Sequence, residues 1–200
     1  MEAPVLMVGT DSLEVDRLLL GGLLLCPGCE QVLRPWGWAR TRSVRELVEV
    51  VVVRPRRSLC SGCTRSHVLL PELLLLRRAD TAAVIGSALT AKATGAGHRS
   101  IAAMLDRPVG SVRAWLRRFA AHAESIRVLF TGLLFVLDPE ADGALPAGSL
   151  FADAVEAVGL AAAAAVRMFG PRPAWAFASS ASSGLLLGPV MPAGLLGNTS

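Results

Sequence analysis

The four cysteines of this chain fall into two pairs of identical spacing, Cys26-Pro27-Gly28-Cys29 and Cys60-Ser61-Gly62-Cys63. Two thiolates on one Gly-containing turn can point at a single place, and two such turns brought together complete the tetrahedral shell of a Zn²⁺ ion. The spacing predicts a structural zinc site with Cys26, Cys29, Cys60 and Cys63 as its ligands, the signature of a zinc ribbon. Three other chemistries fit less well. A redox Cys-x-x-Cys needs only one pair, set near a βαβ pattern that the sequence does not show. Disulfides suit an exported chain, and no basic, apolar and small-residue signal series opens this one. Four unrelated buried thiols would not form matched pairs. The thirty residues between the pairs exceed the usual ribbon spacing, but the entropy of closing a loop grows only slowly with its length.

Segments that must position these thiols lie on either side of them. Leu23 to Leu25 read as a strand entering the first turn. Between the turns, the β-branched run Leu47 to Val53 reads as a strand and Trp36-Gly37-Trp38 as its partner, with the tryptophans packed on the sheet. His67, four residues past Cys63, is expected to donate a hydrogen bond that pins the chain leaving the second turn. Arg54, Arg56 and Arg57 approach that turn and are either phosphate contacts or its solvated rim.

Charge is distributed unevenly. Segments 1–30, 31–66, 67–128 and 129–200 carry net charges of −4, +6, +5 and −3. A basic middle between acidic ends is the footprint of a nucleic-acid surface. All but one of the basic residues are arginine, Lys92 being the exception; that bias fits a GC-rich coding genome and by itself proves nothing about function. No apolar stretch approaches the roughly 20 residues that cross a bilayer, so a membrane role is not expected despite a mean hydropathy of +0.51.

Beyond Pro71 the pattern becomes helical. Asp80 or Thr81 is placed to cap a helix through Ala82, Ile85 and Leu89, and Gly95-Ala96-Gly97 ends it. Ile101 and Leu105 mark a short second helix. Pro108 fits the first turn of a third, in which Val112, Trp115, Leu116 and Phe119 form one buried stripe. Three helices with a short turn before an Arg-bearing last one read as a helix-turn-helix. Residues early in that last helix face base edges and later arginines reach phosphates. Arg99, Ser111, Arg113, Arg117 and Arg118 are the expected DNA contacts, and the scarcity of polar side chains in the first turn predicts modest sequence discrimination.

Taken together, the Cys-Pro-x-Cys turn, the Trp-Gly and Arg-rich hairpin, Arg57-x-x-Cys60-x-x-Cys63, Ser66 to Pro71 and the Arg99 to Phe119 stretch carry a resemblance. Over about residues 23–125 the chain resembles uncharacterised actinobacterial proteins that join a zinc ribbon to a helix-turn-helix, themselves similar to the N-terminal regions of insertion-sequence transposases. Glu30 stands where a Gly often follows the first turn of such proteins. The resemblance implies a transposon-associated accessory or regulatory factor that binds double-stranded DNA. A transposase would also need a nuclease domain with three metal-holding acids. Asp138, Glu140, Asp142, Asp153 and Glu156 lie in about seventy residues without alternating strands, so they read as helix caps and loop residues, and no catalytic residue is expected.

Ile126 to Leu137 and the Ala-rich Leu150 to Phe169 read as helices, the latter placed to pack on the first module, on a second copy or on a protein partner. From Pro171 onward Pro, Gly, Ser and Ala dominate, with Gly184 to Gly188 nearly repeated at Gly194 to Gly197; no core is expected there, and the stretch reads as disordered or loosely docked. The whole reads as a mainly α chain with a small antiparallel β zinc ribbon: an N-terminal segment (1–22), the four-cysteine ribbon (23–70), a three-helix, homeodomain-like helix-turn-helix domain (71–125), apolar helices (126–170) and a disordered tail (171–200). The expected protein is a non-enzymatic, cytoplasmic and nucleoid-associated DNA binder with structural Zn²⁺; the alternative is a protein-interaction module that uses the same zinc site and has no DNA role.

Overall fold

The computed structural model describes residues 4–188. A β-rich N-terminal part comprises β1 (Val5–Val8), α1 (Ser12–Leu20), β2 (Leu33–Trp38), β3 (Arg42–Arg45), β4 (Val50–Val53), β5 (Arg56–Cys60) and β6 (Ser66–Pro71). Six helices follow: α2 (Ala82–Ala93), α3 (His98–Leu105), α4 (Val109–Ala121), α5 (Ala123–Leu137), α6 (Leu150–Phe169) and α7 (Ala174–Ala181). The fold is mainly helical with small sheets around the cysteines.

The main sheet runs β1-β6-β5-β2, with β5 antiparallel to both neighbours and β1 parallel to β6. The strands exchange the partners expected from sequence. Trp36-Gly37-Trp38 belongs to β2 and pairs with β5, whereas the valine run pairs with Arg42–Arg45 in a separate β3-β4 hairpin. Convergence of the cysteines requires this exchange: Leu33, four residues after Cys29, sits opposite Cys60. Pro55, between β4 and β5, has no N–H for a ladder and parts the valine run from the cysteine strand. Leu23 to Leu25 form no strand; Leu25 makes an isolated bridge to Val32. The tryptophans are not buried on the sheet, Trp36 being 58% and Trp38 41% exposed. Trp38 instead lies beneath Arg56, whose guanidinium is 4.2 Å from the ring centre. Such a contact adds to stability through the ring quadrupole.

The N-terminal segment carries little periodicity, yet α1 within it supplies the cover of the sheet. Asp11 caps α1 by accepting from the N–H of Leu13 and Glu14, and the helix turns Val15 and Leu19 onto Leu33, Leu69, Cys26 and Cys60. A helix of nine residues is marginal alone; the burial of that stripe holds it in place.

The helices share one core running from Leu75 to Leu187, without a break near residue 125. Thr81, not Asp80, caps α2, its Oγ1 accepting from Val84 N–H. Helix α2 ends in a Schellman arrangement, with Gly95 at φ 96° and N–H bonds from Ala96 to Ala91 and from Gly95 to Lys92. The α3–α4 turn repeats this pattern around Asp106 at φ 51°. Pro108 stands one residue earlier than expected, as the N-cap of α4. Helix α6 presents alanines, among them Ala154, Ala157, Ala161 and Ala165, to the core. Small side chains let α5 lie close, with Ile126, Phe130 and Leu134 filling the space.

Part of the tail expected to be disordered is built into this core. Helix α7 buries Phe177 and Ala178, and Leu186 and Leu187 follow it inside. Ser179 Oγ donates to Leu74 O at 2.6 Å and Leu76 N–H to Gly184 O at 2.9 Å, which ties α7 to the segment entering α2. The indole of Trp175 rests on Gly86 of α2, where a Cβ would lie 2.0 Å from the ring. The apolar content of 174–187 is visible in the sequence; that α2 carries a bare glycine to receive it is not. The Gly194 to Gly197 repeat lies outside the described residues. No single helix among the described residues is long and apolar enough to cross a membrane; α4 and α5 would be so only as a pair, and they are bent by 66° at His122.

Candidate metal centre and basic helix face

Both cysteine turns hang from the same sheet. On the first, Cys26 N–H donates to Gln31 O at 2.9 Å and Glu30 N–H to Cys26 O at 2.8 Å, closing the loop. On the second, Cys60 N–H donates to Arg65 O at 2.9 Å, and Ser61 N–H reaches Val32 O at 3.0 Å, tying one turn to the other. The residue after each second cysteine is left-handed, Glu30 at φ 58° and Thr64 at φ 57°. Side chains rarely adopt that region, at a cost of roughly 1–2 kcal/mol each, so the sheet and the loop hydrogen bonds must enforce it.

The four Sγ atoms lie within 4.8 Å of one another. The closest approaches run between the turns, Cys26 to Cys63 at 3.7 Å and Cys29 to Cys60 at 3.3 Å. A tetrahedral ion with metal–sulfur bonds of about 2.3 Å needs sulfurs about 3.8 Å apart, so the cluster fits a metal ion with little movement. Cys26 and Cys60 are buried and Cys63 is exposed.

The surroundings favour thiolate at Cys60 and oppose it at Cys29. Burial pushes the Cys60 thiol up, but the N–H groups of Cys63 and Gly62, both 3.4 Å from its sulfur, together with the thiols of Cys29 and Cys63, bring it down to about 6. The backbone at Gln31 pulls Cys29 down, yet the neighbouring Cys60, burial, and then Cys63 and Cys26 push it up to about 11. Crowded sulfurs cannot all ionise without a cation among them, which is the electrostatic requirement for a metal. His67 is buried, and its Nε2 lies 3.4 Å from Cys26 Sγ. Burial, and then the charge of Arg65, hold the imidazole below its ordinary pKa. A neutral ring protonated at Nε2 donates to the sulfur from outside the ligand set.

Around the centre, two of the three arginines that read as phosphate contacts or as solvated rim are engaged within the protein. Arg56 is paired with Asp16 at 2.7 Å and Arg57 donates to Ser66 Oγ at 3.2 Å. Arg54 is exposed and lies 5.5 Å from the Trp38 ring centre. The helical candidates differ: Arg99, Arg113, Arg117 and Arg118 are exposed and Ser111 is half-buried, while Val112, Trp115, Leu116 and Phe119 face inward. Arg113 and Arg117 line a hollow of about 340 Å³ with Lys92 and His98. Arg54 and Arg56 line a separate hollow of about 360 Å³ beside Trp38.

One cluster has no signal in the sequence. Asp80, 3% exposed, receives Arg45 Nε at 3.0 Å and Nη2 at 2.6 Å, together with Arg107 Nε at 2.7 Å. Arg107 also donates to Glu46 O at 2.6 Å, and to Leu105 O and Asp106 O in its own turn. The backbones of Arg45 and residues 79–81 bond reciprocally alongside. One carboxylate therefore joins the β3-β4 hairpin, the entry to α2 and the α3–α4 turn. Only the spacing of these residues in space, not along the chain, reveals it.

The chain matches no protein-family model, no curated protein and no solved structure.

Proposed function

We propose that this chain is a non-enzymatic DNA-binding protein in which a Zn²⁺ ion held by Cys26, Cys29, Cys60 and Cys63 fixes the sheet, and α3 and α4 form a helix-turn-helix. Four thiolates converging tetrahedrally suit zinc better than harder divalent ions. The observation that carries the DNA reading is the two-sided α4: an apolar stripe buried to the last atom of Phe119, and an outward face bearing Arg113, Arg117 and Arg118. The short α3, ended by the left-handed Asp106 just before α4, supports the helix-turn-helix reading. Val109 and Gly110, exposed in its first turn, offer no side-chain hydrogen bond to a base edge, so phosphate contacts dominate and discrimination is modest. The resemblance to the N-terminal regions of insertion-sequence transposases supports an accessory or regulatory role associated with a mobile element, on nucleoid DNA.

Fluorescence anisotropy on a labelled duplex across a salt series tests this. Four phosphate-seeking arginines (Arg99, Arg113, Arg117, Arg118) give a slope of log K on log salt of roughly −3 to −4. Removing Arg113, Arg117 and Arg118 together should flatten it toward about −1. Affinity that ignores salt refutes the reading, and a selected motif of six or more fixed bases refutes its modest specificity.

A second reading, a protein-interaction module, is favoured by the β3-β4 hairpin, which exposes Val48, Val50 and Val52 at 94%, 59% and 67%. Under that reading, the chain shows no salt-dependent duplex binding, and Val48→Ser with Val50→Thr abolishes self-association or partner capture.

A further inference from the structure

A further cavity lies away from the cysteine cluster and shares Arg117 and Arg118 with the cationic face of α4. It is a cleft of about 870 Å³ where the start of β1, the segment before α2, the end of α4 and the turn after α7 meet. Arg78, Arg117, Arg118 and His122 line it beside Arg77, and none of the described lining residues is acidic. Its walls are aliphatic, from Leu76, Leu185 and Leu187. Arg78 is half-buried; its Nη2 donates to Leu187 O at 2.8 Å, and its Nε is buried without a hydrogen-bond partner. Burial, and then the charges of Arg118 and Arg77, lower its pKa. The cations stand close enough to destabilise one another.

Crowded guanidinium groups above an apolar floor are costly unless an anion arrives, because desolvated like charges repel and an unpaired buried donor forfeits its hydration. Volume and lining fall within the range of small-molecule sites. Among the described lining residues there is no Phe or Trp to stack a base, and no Asn, Gln, Asp or Glu to read a ribose or base edge. An aliphatic body suits these walls better than a nucleoside.

We propose that this cleft binds an amphiphilic anion, a phosphate or carboxylate head on an aliphatic chain, with Arg78 and Arg118 holding the head and Leu76, Leu185 and Leu187 the chain. Free acyl anions and phosphorylated alkyl groups share this chemistry. The site uses Arg117 and Arg118 from the inner edge of the α4 cationic face, but its occupancy does not depend on DNA binding.

Isothermal titration of the full chain with dodecyl phosphate and with dodecanoate, below their micelle concentrations and without DNA, tests the proposal. Both should bind with one site per chain, and their relative affinities identify the preferred head. Arg118→Gln, at an exposed position, should weaken binding about tenfold or more, as loss of a charged hydrogen bond does. Arg78→Gln should do likewise where circular dichroism shows a native fold, and Arg99→Gln, outside the cleft, should change it less than about twofold. Dodecyltrimethylammonium binding equally well would show a merely greasy surface and overturn the proposal. Inorganic phosphate binding as tightly as the amphiphiles would reduce the cleft to a phosphate contact and overturn it too. So would the absence of saturable binding, or an Arg118→Gln chain that binds like the parent.

Discussion

Replacing Asp80 by alanine removes the single carboxylate that holds three segments together. Of its two partners, Arg45 keeps a side chain 41% exposed and can return to water. Its share of the loss is that of a surface pair, about 0–1 kcal/mol. Arg107 cannot: its side chain is 8% exposed and its other N–H groups are fixed on the carbonyls of Glu46, Leu105 and Asp106. Stranding a buried charge costs about 3–5 kcal/mol, so Asp80→Ala should destabilise by roughly that amount. In a chain of this length each kcal/mol shifts Tm by about 2–4 °C, which places the fall at about 6–20 °C. Thermal unfolding by circular dichroism measures it. If the cost arises from the stranded Arg107, adding Arg107→Met to Asp80→Ala should recover a large part, with a coupling of at least about 2 kcal/mol. A single substitution costing under about 1 kcal/mol, or a double one no better than the single, would refute the reasoning. Because Arg107 sits in the α3–α4 turn, duplex affinity should fall in Asp80→Ala at temperatures where the chain is still folded.

Gly86→Ala reverses the ordinary rule: helix propensity favours alanine by about 1 kcal/mol, but the new Cβ would meet the Trp175 ring at 2.0 Å. A net loss of about 1–2 kcal/mol is expected, relieved by Trp175→Ala in the same chain, as read from denaturant unfolding. Glu30→Gly and Thr64→Gly, which place a residue at ease in the left-handed region, should each stabilise the metal-loaded chain by about 0.5–1 kcal/mol; a loss in both would show that these side chains, not the backbone, hold the turns. The purified chain should carry about one zinc by elemental analysis. Cys26→Ser should reduce that content, and chelation should lower Tm by removing binding energy coupled to folding. Glu124 is held below the usual carboxylate range, first by its hydrogen bond to Arg127 and then by that residue's charge. Its contribution to stability is therefore present above the unfolded pKa and lost as pH falls through the folded one. Glu124→Gln should remove that part of the acid dependence of Tm.

Two matched Cys-x-x-Cys pairs specify a convergent thiolate site by themselves, because ligand type and spacing are local properties of the chain. The helices are legible for the same reason: Val112, Trp115, Leu116 and Phe119 repeat at helical intervals, Thr81 caps, Gly95 terminates, and the helix from Leu150 to Phe169 can be read to its ends. Strand pairing is not legible, since the valine run is the stronger strand by composition, yet β2 pairs with the Arg-Arg-Ser-Leu-Cys strand β5, where Leu33 sits opposite Cys60. Nor is the docking of α7, where a Pro- and Ser-rich stretch that looks uncommitted alone becomes core once Gly86 leaves room for an indole. The count of arginines is plain in the sequence, but their uses are not. Arg45, Arg56 and Arg107 turn inward to Asp80 and Asp16, while Arg113, Arg117 and Arg118 stay on the surface. A charge shows its sign in the sequence, but its partner is whichever residue folding brings within hydrogen-bond reach, and that is a property of three dimensions alone.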